Sequence, residues 1–254
     1  MSGQSTTLVV PCFNEGARLD SEQFLSLLAG DRPIQLLFVD DGSQDNTPEV
    51  LQALQAKGGS AVSLLPLGQN QGKAEAVRSG LLQALSSDAA VVGYVDADLA
   101  TPIEEVRRLV EIMTTRDADV VVGARVALMG REIDRSPMRH YLGRIFASAA
   151  SLVLQRSVYD TQCGAKLFRR TPALENALAE PFVSRWAFDV ELLGRLMIGG
   201  PGIPGIAPLR IVEEPLRRWK DVPGSKLRPI HMARAAADLA RIRADLTRRR
   251  AAAR

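Results

Sequence analysis

The sequence predicts an α/β protein with a mostly parallel central sheet and helices on both faces, and three observations predict it. Apolar, β-branched runs recur at residues 7–10, 34–39, 61–65, 90–95 and 119–123. Helix-like segments separate them, the alternation expected of parallel strands buried on both faces. The first four runs each end in an unusually polar loop, and in open parallel sheets ligands bind outside the carboxyl ends of the strands.

The elements follow in order. Thr47 and Pro48 predict a helix start, a cap followed by proline at the first helical position. Thr101, Pro102, Ile103 and Glu104 predict another, with the spacing of a capping box. Lys73 predicts a third behind a glycine-containing loop. Beyond residue 123 the pattern is less regular: an arginine-rich connection over 125–140, a helix over 141–155, a short strand over 164–168 and a helix over 188–197. A Gly/Pro-rich stretch over 199–208 then precedes a strand over 209–213 and a C-terminal helix.

The chain's 254 residues, 46% hydrophobic, suffice for a real core. No run approaches the roughly 18 to 20 apolar residues of a membrane span, and residues 1–7 carry no apolar leader, so a cytoplasmic protein is expected. Cys12 and Cys163 lack metal-ligand spacing and read as reduced thiols. The formal net charge is only +3, yet residues 201–254 hold 13 Lys and Arg against 5 Asp and Glu. That basic end suits an anionic lipid or a phosphorylated substrate or simply makes a solvated face; nucleic acid is not among the expected partners.

The polar loops carry the chemistry. Asp96 and Asp98, one residue apart after a strand, can hold a hard divalent cation through oxygen, and such a cation binds diphosphate. Asp40, Asp41, Gly42 and Ser43 offer carboxylates to a base or ribose beside a tight turn. Lys73 at a helix start favours phosphate. Two rival classes are excluded: the first loop, Pro11-Cys12-Phe13-Asn14-Glu15-Gly16, is not the G-x-G-x-x-G of dinucleotide-binding folds, and Lys73 is followed by Ala74 rather than the Ser or Thr of a P-loop. A nucleotidyltransferase would place a glycine-rich, arginine-bearing loop after the first strand, which is absent as well.

Taken in order, Val9-Val10-Pro11-Cys12-Phe13-Asn14-Glu15, Val39 through Thr47, Asn70-Gln71-Gly72-Lys73 with Ala76-Val77-Arg78, and Asp96-Ala97-Asp98 resemble the family-2 glycosyltransferases of the GT-A (nucleotide-diphospho-sugar transferase) fold. Within them, Asp160 through Phe168 and Arg185 through Leu192 resemble the dolichyl-phosphate β-glucosyltransferases more than the mannose synthases.

The resemblance implies an inverting hexosyltransferase with UDP-glucose as preferred donor, a polyprenyl or dolichyl phosphate acceptor and Mg²⁺ or Mn²⁺ as cofactor. A soluble acceptor or GDP-mannose is the alternative. By motif, Pro11, Phe13, Glu15 and Asp40 would line base and ribose, Lys73 and Ala97 would help hold the nucleotide, and Asp96 and Asp98 would flank the metal. Asp189 is the candidate base or orienting group, and Arg125, Arg139 and Lys226 would bind acceptor phosphate; Arg131, Arg135, Arg217 and Arg218 are further candidates. Trp186 and Trp219 would shape the acceptor pocket, whereas His140 and His231 read as structural. The expected division is a catalytic domain over 1–228, with 1–123 for the nucleotide sugar and 124–228 for the acceptor, and a basic helix and tail over 229–254. Ala235, Leu239, Ile242 and Leu246, at helical spacing among arginines, suit either a peripheral contact of that helix with the inner face of the membrane or, the stripe being narrow and alanine-rich, a helix packed on its own domain with a solvated basic face.

Overall fold

The computed structural model of the chain describes residues 5–30, 32–221 and 229–253. Lys226 lies outside the described residues, as do the side chains of Arg139 and His231.

The first half alternates as expected. β1 (Thr6–Cys12), α1 (Ser21–Ser26), β2 (Ile34–Asp40), α2 (Thr47–Gly58), β3 (Val62–Pro66), α3 (Lys73–Leu85), β4 (Val91–Val95), α4 (Ile103–Thr115) and β5 (Val120–Ala124) follow one another. The second half adds β6 (Glu132–Asp134), α5 (Pro137–Leu154), β7 (Ala165–Arg169), α6 (Pro172–Leu178) and α7 (Phe188–Ile198). The hairpin of β8 (Gly199–Gly200) and β9 (Ile203–Pro204), β10 (Ile211–Pro215), β11 (Arg218–Lys220) and α8 (Pro229–Ala252) complete it.

Seven strands form the central sheet in the order β10-β5-β7-β4-β1-β2-β3. All its pairings are parallel except those of β7, which runs antiparallel between β4 and β5. Period-two alternation splits the core into two layers. Leu8, Val10, Leu36 and Phe38 pack with α1, α2 and α4, whereas Val9, Leu37 and Val39 pack with α3 and the helices of the second half.

Three expectations change. Thr47 begins α2 behind Asn46, and its hydroxyl accepts from the backbone N–H groups of Glu15 and Gly16, each at 2.8 Å. It pins the β1 loop instead of capping a helix. Thr101 does not cap α4, because Pro102 takes the cap position and the helix starts at Ile103. The last predicted strand starts at Ile211, since Pro208–Arg210 form a 3₁₀ turn.

Of the two readings of the C-terminal helix, the structure shows the packed one. Ala235, Leu239, Ile242 and Leu246 are buried in the same layer as residues of α5 and α7, with Leu246 seated against Gly194, so its apolar stripe faces the protein's own core. A narrow, alanine-rich stripe fits a helix groove, where close approach stands in for side-chain bulk. Among the described side chains of that helix, no further apolar stripe faces outward. Among the described residues no helix is long and apolar enough to cross one.

Candidate functional site: two cavities meeting at an aspartate pair

The loops after β1, β2, β3 and β4 converge at one end of the sheet, as parallel strands require. The loop after β1 is tied to the loop after β2 by Asn14 N–H donating to Ser43 Oγ at 3.0 Å and by Gln44 N–H donating to Asn14 Oδ1 at 2.9 Å. Asp41, buried, accepts from the backbone N–H groups of Gln71 at 2.7 Å and Gly72 at 2.8 Å, which moulds the turn that delivers Lys73. Gly72 sits at φ +95°, and a β-carbon there would lie 2.7 Å from Arg185 Nε; glycine meets both demands.

These loops enclose a cavity of about 360 Å³ lined by Pro11, Phe13, Glu15, Lys73, Ala97 and the Asp96–Asp98 pair, together with Arg18, Asp41 and Asn70. A second cavity of about 320 Å³ is lined by Arg125, Arg135, Gln162, Trp186, Asp189 and Trp219. Lys73, Asp96 and Asp98 line both.

The shared wall is the electrostatic centre. Lys73 Nζ lies 2.5 Å from Asp96 Oδ1. Confinement disfavours the Lys73 ammonium, but Asp96, Asp189 and Asp98 overturn that and raise its pKa. Burial, then the charge of Asp96, pushes the Asp98 carboxyl above the usual carboxylate range. Leu99 follows with φ +50°, a left-handed backbone that a branched residue adopts at a cost and that turns the chain sharply after the pair.

The pair suits a hard divalent cation. Both groups are carboxylates, the two charges raise each other's energy, and a cation would relieve that repulsion. Gly164 leaves room for the Asp96 carboxylate, since a β-carbon there would clash with Oδ2 and Oδ1. Among the described residues no group of three or more His, Cys, Asp or Glu stands ready to hold a metal, so a cation at Asp96 and Asp98 would take its remaining ligands from water and a diphosphate.

Asp189, in the first turn of α7, lines the second cavity. Its Oδ1 accepts from the Tyr94 hydroxyl and from Lys166 Nζ at 2.7 Å, and Lys166 also donates to the Cys163 carbonyl at 2.7 Å. Lys166 and Tyr94 are fully buried, and burial followed by the Asp189 charge drives the Tyr94 hydroxyl far above its ordinary pKa. Tyr94 thus stays a donor. The loop ahead of α7 is held by the buried Glu191–Arg195 pair: Glu191 accepts from Val183 and Ser184 N–H, and Arg195 donates to the carbonyls of Ala177, Glu180 and Pro181. That scaffold places Trp186, whose ring meets Phe146 edge-on at 5.2 Å.

The remaining candidates scatter. Asp40 accepts from Ser43 N–H at 3.0 Å and is not among the residues lining the first cavity, where Asp41 stands instead. Arg125 reaches the second cavity, but its Nε and Nη2 clasp Asp160 at 2.6 and 2.8 Å and its plane lies over Trp219. Arg217 and Arg218 line a separate groove beside α4, with Glu104, Glu105 and Arg108. Sequence reasoning missed Arg18, which pairs with Glu15, as well as Tyr94, Arg185 and the role of Lys166. The i,i+3 spacing of Glu15 and Arg18 was the available signal for the first; the others are brought in by the fold alone.

Comparison with known proteins agrees with this geometry. The chain is 33% identical over 250 residues to the dolichyl-phosphate beta-glucosyltransferase ALG5C of Trichomonas vaginalis, covering 93% of this chain and 70% of that protein. It is 34% identical to the dolichyl-phosphate beta-glucosyltransferase of Drosophila melanogaster and 32% identical to that of Homo sapiens; each alignment covers 88% of this chain and 69% of the relative. Among solved structures, glucosyl-3-phosphoglycerate synthase from Mycobacterium tuberculosis, in complex with Mn²⁺, UDP-glucose and glycerol 3-phosphate, superposes with a TM-score of 0.64 at 20% identity, over 95% of this chain and 81% of that one. At that identity it shows a shared GT-A-like fold. The model of glycosyl transferase family 2 matches residues 7–175, and with the relatives above 30% identity it shows that this chain belongs to that family.

Proposed function

We propose that the protein transfers glucose, with inversion, from UDP-glucose to dolichyl phosphate or another polyprenyl phosphate. The single observation that carries this reading is the meeting of two cavities at Lys73, Asp96 and Asp98, one suited to a nucleoside diphosphate and the other lined by basic and aromatic side chains. The printed names of the relatives support the acceptor and the sugar, and the UDP-glucose of the structural neighbour supports the donor.

On this reading residues 1–123 hold the donor, residues 124–228 the acceptor, and residues 229–254 pack behind. Pro11, Phe13 and Glu15 border the uridine, with Asp41 beside them and Asp40 shaping the turn. Lys73 meets phosphate oxygen. Asp96 and Asp98 would hold Mg²⁺ or Mn²⁺, which when bound would offset the negative charge that develops on the diphosphate. The acceptor oxygen bonds to the anomeric carbon from the face opposite the diphosphate, while the bond from that carbon to the phosphate oxygen breaks and UDP leaves with the electron pair. Asp189, its Oδ1 held by Lys166 and Tyr94, meets the acceptor through its other oxygen. A phosphate acceptor is largely ionised at neutral pH and needs little proton removal, so Asp189 orients it. Arg135 and the remaining guanidinium edge of Arg125 offset its charge, and Arg139 and Lys226 complete the proposed acceptor set.

The test is incubation with radiolabelled UDP-glucose, Mn²⁺ and a polyprenyl phosphate, with GDP-mannose in parallel. Label should enter the organic phase from UDP-glucose and not with Asp98→Ala. Label reaching only water-soluble acceptors would overturn the lipid acceptor.

A further inference from the structure

The loop ahead of α7 carries an arginine whose hydrogen-bonding capacity is largely unspent. Arg185 is exposed and lines the second cavity with Lys73, Asp96 and Asp98. Its Nη2 donates to Asn70 Oδ1 at 3.3 Å, a long hydrogen bond to a neutral acceptor, whereas a guanidinium has five N–H donors to give. Arg18, Lys73 and Arg125, which also line the two cavities, each face a carboxylate: Glu15, Asp96 and Asp160. Among the described residues no carboxylate pairs with Arg185.

The mount of this side chain is braced. Ser184 Oγ accepts from the backbone N–H groups of Trp186 at 3.2 Å and Ala187 at 2.8 Å, and it donates to Asp238 Oδ2 of α8 at 2.8 Å. Glu191 accepts from the N–H groups of Val183 and Ser184. The backbone is therefore held on both sides of residue 185, which lowers the ordering cost of a contact made by its side chain.

From that mount Arg185 crosses to the loop after β3. A β-carbon on Gly72 would lie 2.7 Å from Arg185 Nε, 3.0 Å from Nη2 and 3.2 Å from Cζ, so the guanidinium rests against the backbone just ahead of Lys73. Asn70, its hydrogen-bond partner, lines the first cavity. The N-terminus of α3 at Lys73 already favours phosphate. Asp96 and Asp98 oppose a diphosphate there, and the Lys73 ammonium is engaged by Asp96. A guanidinium with donors to spare, laid against that turn, supplies the missing positive charge and grips phosphate oxygens in pairs.

We propose that Arg185 binds the β-phosphate of the nucleoside diphosphate and stabilises it as the leaving group, a catalytic residue that reaches the donor from the second half of the chain. The guanidinium keeps its protons and exchanges its Asn70 contact for the phosphate oxygen that gains charge as the bond to the anomeric carbon breaks. This rests on the nucleotide-sugar reading of the first cavity and is indifferent to which acceptor is used.

The experiment is calorimetry of UDP and of UMP with the native chain, Arg185→Gln and Arg185→Lys in one Mn²⁺ buffer, followed by transfer assays. The side chain is exposed, so the variants should keep the native melting temperature. Arg185→Gln should bind UDP about tenfold or more weakly, the worth of a charge-assisted contact, and UMP as the native chain does, because UMP has no β-phosphate. Arg185→Lys should recover part of the loss. Turnover should fall further than UDP-glucose affinity, and millimolar guanidinium should restore turnover to Arg185→Ala, which a packing role would not produce. Equal weakening of UDP and UMP would mean that Arg185 only shapes the Lys73 loop, and unchanged UDP affinity with a raised KM for polyprenyl phosphate would hand it to the acceptor; either overturns the inference. A native preference for UDP over UMP that survives in Arg185→Gln removes this inference alone, whereas a native chain that binds neither nucleotide removes the donor reading and the inference with it.

Discussion

Lys166 Nζ faces Asp189 Oδ1 across 2.7 Å, with the Tyr94 hydroxyl on the same oxygen, so a buried ammonium and a buried phenol together set the carboxylate where it lines the second cavity. Lys166→Met would leave Asp189 without its cation, and loss of one partner of a buried pair costs about 3–5 kcal/mol. The melting temperature should fall along with transfer. Asp189→Asn keeps the shape but likewise leaves the buried Lys166 ammonium unpaired, so transfer is read below its lowered melting temperature, where it should drop on the order of 10²-fold through lost positioning, with UDP-glucose affinity unchanged by calorimetry. Equal loss of donor binding would mean that Asp189 serves the nucleotide.

The aspartate pair makes a separate prediction. Since burial and Asp96 already disfavour the Asp98 anion, Asp98→Asn should leave the fold at least as stable without a cation. It should abolish the part of UDP affinity that depends on Mn²⁺. Titration of UDP with and without chelator reads both, and an affinity that ignores Mn²⁺ in the native chain would sink the cation role.

Gly164→Ala tests the room behind Asp96. Its β-carbon would meet the carboxylate itself, so Asp96 must swing away from its place beside Lys73. Transfer should fall at least tenfold. Gly130→Ala, at φ +77° with open space around it, is the control: backbone strain of about 1 kcal/mol and full activity.

Arg125 and Asp160 predict a pH signature. Burial alone would raise the Asp160 carboxyl, but the Arg125 guanidinium outweighs it and holds it well below the usual carboxylate range. A folded-state pKa below the unfolded one means that the pair's stabilisation is complete above about pH 4 and is lost as pH falls from there through the depressed value. Asp160→Asn should therefore lower the melting temperature most at neutral pH, with the gap to the native chain narrowing in acid. A gap that does not change with pH would point to packing.

Much of this was legible in one dimension because it is periodic or local. The five strand runs, the start of α3 at Lys73 and the convergence of four polar loops follow from hydrophobic period and from the geometry of parallel strands, which puts every such loop at one end. The Asp96–Asp98 pair, Asp189 and the family resemblance were readable for the same reason, each motif being contiguous.

The tertiary structure decided what depends on residues distant in sequence. Lys166 and Tyr94 belong to strands that read as plain apolar segments, and only the antiparallel insertion of β7 beside β4 aligns them, Tyr94 opposite Lys166 in register, under Asp189. The two apolar helix faces were equally undecidable in sequence. α8 and α5 both alternate apolar and basic residues, and period alone cannot say which face meets protein. Packing decided it: the alanine-rich stripe of α8 fits closely into the core layer it shares with α5 and α7, and the bulkier row of α5 is left facing outward. Local chemistry is written in neighbouring residues, whereas the partner of a buried charge or an apolar face is a property of the whole fold.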